Sequence, residues 1–193
     1  MDLILATTND HKYHELKTLM PNINLIKATD MVEVDENAPT FLGNALIKAK
    51  ALYDILKMPI IADDSGLCVE ALDNKPGVKT ARYGSDVFNR ILESSERNEY
   101  LLSNLKNETN RNASFVCTLV AYISPNRIYS VTEEVKGLIT KEQFGVDGFG
   151  YDPVFFLPEL DKTMAEIDKD TKGLYSHRGK AAKKMNNILE NIK

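Results

Sequence analysis

A short apolar run, Pro59-Ile60-Ile61, leads through Ala62 into two adjacent carboxylates, Asp63 and Asp64, followed by Ser65 and Gly66. An apolar run of this length reads as a buried strand, and carboxylates at its carboxyl end place polar chemistry where open α/β sheets bind ligands. Two carboxylate oxygens and a hydroxyl suit a hard divalent cation, which keeps waters and substrate phosphates as its further ligands. The plainer alternative is a loop or helix cap, because aspartates also favour turns. The residues alone do not choose between Asp63 and Asp64.

The rest of the chain reads as alternating strands and helices. Strands are expected at 3–6, 24–28, 59–63, 67–71, 115–123, 128–136 and 153–157, with the aspartates in a turn between the third and fourth. Helices are expected at 10–20, 40–57, 87–106 and 177–192. Asn9 or Asp10 can cap the first, and Pro21 stops it. In the second, Leu42, Ala45, Leu46, Ala49, Tyr53 and Leu56 share one face. In the third, Ile91, Leu92, Tyr100, Leu101, Leu102 and Leu105 are the expected contacts. Helix and strand alternate early, and a hairpin through Ser124-Pro125-Asn126 follows. That pattern predicts α/β with a mixed sheet.

At 193 residues with 43% apolar content, the chain has ample material for a core, and a single domain over 1–193 is expected. A net charge of −4 gives no broad basic surface, which argues against polymeric nucleic acid as a partner. No run is long and apolar enough to span a bilayer, and the start lacks a basic leader, so no membrane association is expected. Cys68 and Cys117 both lie in apolar runs and suit a reducing, cytoplasmic setting.

Three further segments could carry chemistry. Thr7-Thr8-Asn9-Asp10-His11-Lys12 feeds a polar loop into a helix start, where backbone N–H groups and the helix dipole attract anions. No P-loop pattern is present. Phe149 and Tyr151 stand among Gly148, Gly150 and Asp152, so that backbone can approach a flat ligand while a ring stacks on it. Lys172, then Ser176-His177-Arg178, places cations at the start of the last helix, against its dipole. An arginine fork matches the O6 and N7 acceptors of a 6-oxopurine, whereas adenine offers a donor there.

With these segments in view, the chain resembles the inosine triphosphatase family nearly end to end. The similarity is carried by Leu5-Ala6-Thr7-Thr8-Asn9-Asp10-His11-Lys12 with Glu15, and by Thr40-Phe41-Leu42 with Asn44-Ala45 and Lys48-Ala49. It continues in residues 62–66, in Pro76-Gly77-Val78 with Ala81-Arg82-Tyr83, in residues 148–153, in Thr163 with Ala165-Glu166, and in Ser176-His177-Arg178. The resemblance implies an elongated mixed β-sheet flanked by helices, with two lobes around a nucleotide cleft, usually in a homodimer. It implies Mg2+-dependent hydrolysis of non-standard purine nucleoside triphosphates (ITP, dITP, XTP) to the monophosphate and pyrophosphate. By the same implication Thr7, Thr8, Asn9, Asp10, His11 and Lys12 cradle the triphosphate, and Asp64 serves catalysis and the metal. Ser65 touches the nucleotide, Phe149, Gly150, Tyr151, Asp152 and Lys172 line its site, and His177 and Arg178 read the 6-oxo edge.

One position departs from the pattern. The family's metal-ligating glutamate is expected at the third position of the helix that Thr40 caps, and here that residue is Gly43. Glycine removes a carboxylate and costs the helix roughly 1 kcal/mol relative to alanine. Asp35 and Glu36 are the candidates for a substitute ligand. The alternatives kept beside the main assignment are a nucleotide-binding protein with little catalysis and a Maf-like nucleotide pyrophosphatase.

Overall fold

A computed structural model describes residues 1–29 and 34–192. Among the described residues eight strands and six helices follow in chain order: β1 (Asp2–Ala6), α1 (Asp10–Leu19), β2 (Asn24–Lys27), α2 (Phe41–Leu56), β3 (Ile60–Val69), β4 (Lys75–Pro76), α3 (Ser85–Phe88), α4 (Ser94–Asn104), β5 (Asn112–Ser124), β6 (Arg127–Ile139), β7 (Phe155–Leu157), β8 (Lys162–Thr163), α5 (Lys169–Tyr175) and α6 (His177–Glu190). The strands form one mixed sheet in the order β2-β1-β3-β5-β6-β7-β8, with β4 beside β3. The expected α/β class with a mixed sheet flanked by helices is therefore present. By contacts the chain divides into two compact units, Met1–Ser65 with Cys117–Glu133 and Gly173–Lys193, and Gly66–Val116 with Glu134–Lys172.

In the first unit β1 pairs in parallel with both β2 and β3. Alternation along these strands sends successive side chains to opposite faces. Leu3, Leu5, Ile61, Cys117, Leu119 and Ala121 meet Leu16, Ala181, Ala182, Met185 and Leu189 from α1 and α6. Ile4, Ala6, Ile60, Ala62, Val120 and Tyr122 meet Ala45, Ala49 and Leu52 from α2. Both faces are covered, which is why the strands read as continuous apolar runs. Asn9, Thr40 and Ser176 cap α1, α2 and α6 through their side chains.

The second unit carries the antiparallel pairs β3 with β4, β6 with β7 and β7 with β8. Its helix α4 starts in a capping box formed by Glu93 and Glu96, and Arg90 forks onto the same Glu96 carboxylate at 2.6 and 2.8 Å.

Three expectations are corrected. The aspartates do not sit in a turn between two strands: β3 runs unbroken through Asp63 and Asp64, because sheet neighbours flank it and basic side chains compensate the carboxylates. The helix expected over 87–106 is two helices, since Asn89 adopts a left-handed backbone (φ 52°) and Glu93 caps a fresh start. Ile91, placed in that helix's core, is 68% exposed, while Leu92 is buried. The short helix α5, which bears Lys172, was not anticipated.

Candidate active site

Strand alternation settles how the two aspartates differ. Asp63 faces α1 and α6, and Asp64 faces α2. On the first side Asp63 lies 3.0 Å from Lys12 Nζ and 3.4 Å from Arg178 Nη2. Ser65, two residues on and on the same face, donates its hydroxyl to Asp63 at 3.3 Å and accepts from Arg178 Nη2 at 2.8 Å. Glu15 of α1 accepts from Arg178 Nη1 at 2.7 Å. Burial by itself would raise the Asp63 carboxyl, but Lys12, Arg178 and Lys48 overcome it and hold it well below the usual carboxylate range. Arg178 at the start of α6, unfavourable to its dipole, is explained by these carboxylates.

On the second side Asp64 meets α2. Asn44 Nδ2 donates to Asp64 Oδ2 at 3.2 Å, and Lys48 Nζ lies 3.7 Å from Asp64 Oδ1. The same Lys48 ammonium is 3.0 Å from Glu36 Oε2. Burial raises the Asp64 carboxyl, against the pull of Lys48, Lys12 and the Asn44 hydrogen bond. Burial also works against the Lys48 ammonium, yet Asp63, Asp64 and Glu36 raise its pKa.

Gly43 bears directly on this cluster. An added Cβ there would stand 2.6 Å from Ala38 Cβ. Ala38 in turn donates its N–H to Asn44 Oδ1 at 2.9 Å. The glycine thus lets the segment carrying Glu36 lie against α2, and Asn44 ties that segment to Asp64. Asp35, the other candidate substitute, accepts instead from Asn37 at 3.0 Å. Among the described residues no three His, Cys, Asp or Glu side chains converge. Glu36 and Asp64 both lie within 4 Å of the Lys48 ammonium, and two carboxylates could hold a hard divalent cation whose further ligands are waters and substrate oxygens.

The remaining expected residues fall in two groups. In the first unit Thr7 is buried and its hydroxyl accepts from Asn9 N–H at 3.2 Å, while Asn9 accepts from Lys12 N–H at 3.2 Å. Thr8, Asp10 and His11 are exposed around the start of α1, and Asp10 pairs with Lys27. His177 and Arg178 are buried at the start of α6. In the second unit Asp152 organises the aromatic loop: it accepts from Phe149 N–H at 2.8 Å and from Lys172 Nζ at 2.7 Å. The Lys172 ammonium stands 4.8 Å from the Phe149 ring centroid. Gly148 has φ +79°, and a Cβ there would meet Asp152 Oδ2 at 2.2 Å. Tyr151 is buried, with its hydroxyl donating to Thr80 O at 2.9 Å.

These loops and their order along the chain match a known group. The chain belongs to the Ham1 family. The family's profile matches residues 3–188. A dITP/XTP pyrophosphatase of Treponema denticola is 44% identical over 184 residues, covering 94% of each chain. Among solved structures, the Ham1 protein of Staphylococcus aureus superposes with a TM-score of 0.88 at 36% identity over the whole of both chains. That of Coxiella burnetii gives 0.90 at 32% identity over 99% of each. The resemblance drawn from the motifs is borne out, since the relatives' names carry the same activity.

Glu15, Asn44 and Lys48 lie in the family-like stretches of the sequence without a role of their own there, and Glu36 stands there only as a candidate substitute ligand. A signal existed: Asn44 and Lys48 are polar residues spaced i, i+4 beside the buried Ala45 and Ala49 of one helix.

Proposed function

We propose that this chain hydrolyses non-standard purine nucleoside triphosphates (ITP, dITP, XTP) to the monophosphate and pyrophosphate, with Mg2+. The observation that carries this is the single ammonium of Lys48 between Asp64 and Glu36, which marks where two carboxylates gather a cation. Mg2+ held by Glu36 and Asp64 would neutralise phosphate charge. Asp64 orients a water against the α-phosphorus and accepts its proton; an oxygen–phosphorus bond forms, and the α–β anhydride breaks to release pyrophosphate. Thr7–Lys12 hold the triphosphate at the start of α1, Ser65 contacts the nucleotide, and Phe149 to Asp152 with Lys172 hold the nucleoside. His177 and Arg178 govern base choice, with Glu15 fixing the guanidinium.

The alternative of binding without catalysis drew its force from the missing carboxylate at position 43. Glu36 supplies one from the segment that Gly43 accommodates, so turnover is favoured. The same proposal includes a cytoplasmic setting and a homodimer; light scattering on the purified protein tests the dimer. Pyrophosphate release from ITP against ATP tests the activity. Asp64→Asn is expected to reduce turnover by about a thousandfold or more while ITP binding stays measurable. Near-normal turnover in that variant overturns the assignment.

A further inference from the structure

Asn98 lies on α4 and is 1% exposed. Its Nδ2 donates to the Gly150 carbonyl at 3.1 Å and to Gln143 Oε1 at 3.0 Å. Its Oδ1 is buried and accepts no hydrogen bond from the described residues. Both donated hydrogen bonds leave α4 for other segments, so the buried amide ties the Gly150 backbone to the helix.

What this amide holds is the centre of the aromatic loop. Gly150 has φ +64°, and nothing lies within 4 Å of where its Cβ would be. The glycine is therefore required by backbone conformation and not by crowding, and its carbonyl accepts from the Asn98 amide. The residues on either side are gripped separately. Phe149 N–H is taken by Asp152, and the Tyr151 hydroxyl by Thr80 O. Arg97, next to Asn98 on α4, stands 5.6 Å from the Tyr151 ring centroid. Arg97 Nη1 donates to Ala81 O at 3.1 Å and Leu92 O at 2.8 Å, which fixes it.

We propose that Asn98 is a positioning residue for purine selection: by fixing the Gly150 carbonyl it sets the pose of Phe149 against the base. This rests on the assignment of the Phe149 loop to the nucleoside. Asn98 touches no substrate; it acts through the loop.

Asn98→Leu and Asn98→Asp remove the donor, the second with nearly unchanged shape, and Gln143→Leu removes the other partner alone. Steady-state kinetics on ITP and ATP and calorimetric binding of inosine monophosphate are measured on each folded variant. Both Asn98 variants are expected to raise KM for ITP about tenfold, leave kcat within about twofold and lower the ITP-to-ATP preference by about tenfold. Gln143→Leu is expected to leave all three unchanged. Asn98 variants that lose thermal stability yet keep the wild-type preference overturn the proposal, as does failure of both to fold. A wild-type chain inert toward ITP instead condemns the functional assignment itself, and this proposal with it.

Discussion

At the scale of the residue, Gly43 illustrates how a missing group can be misjudged from sequence. Alanine there would favour α2 by roughly 1 kcal/mol on helix propensity. The structure reverses the sign, because the new Cβ would press on Ala38 at 2.6 Å. Gly43→Ala is expected to lose about 1 kcal/mol net, read as a lower Tm, since crowding outweighs propensity. Gly43→Glu should displace the Glu36 segment further and raise the Mg2+ concentration needed for half-maximal pyrophosphate release. A lower Mg2+ requirement in Gly43→Glu would restore the view that position 43 is the ligand site.

Elements show where sequence was informative and where it was silent. Strands β1, β2, β5 and β6 and helices α1, α2 and α6 were legible because their periodicity and caps agree: Asn9, Thr40 and Ser176 all perform the capping that their positions suggest. The Asp63–Ser65 stretch reads as a turn in the sequence because local preference cannot see Lys12, Arg178 and Lys48, which arrive from three different helices. The break before α4 was hidden for a similar reason, since a left-handed Asn89 has no distinctive pattern. The α4 start makes its own prediction. Hydrogen bonds from Arg90 and from the Glu93 backbone hold the Glu96 carboxyl down at about 2. Its contribution is present above the unfolded carboxyl value and lost as pH falls through the folded one. Glu96→Gln is thus expected to lower Tm by about 3 °C at pH 7, with the gap closing between roughly pH 4 and pH 2. A gap that does not vary with pH would assign the loss to something other than this charge.

For the whole molecule, the two thiols offer a direct report on opening. Cys117 is fully buried in the first unit's core, and burial pushes its thiol up to about 12. Cys68 is partly exposed, with its thiol raised by burial and then by Glu134. A disulfide-exchange reagent at pH 8 is expected to modify Cys68 alone in the native protein and both residues in denaturant. Mass spectrometry after pulsed labelling distinguishes the sites, and the Cys117 rate should track global unfolding. Rapid native labelling of Cys117 would mean that this core opens locally.

The opposed directions of Asp63 and Asp64 carry a consequence for how the gene can vary. Their duties are assigned by parity along β3, so one codon gained or lost between Ile60 and Asp63 would exchange the two aspartates between helices. Asp64 would then meet Lys12 and Arg178, and Asp63 would meet Asn44 and Lys48. Length variation among viable relatives is therefore expected in the connection before Ile60, where a codon can come or go without turning the strand over.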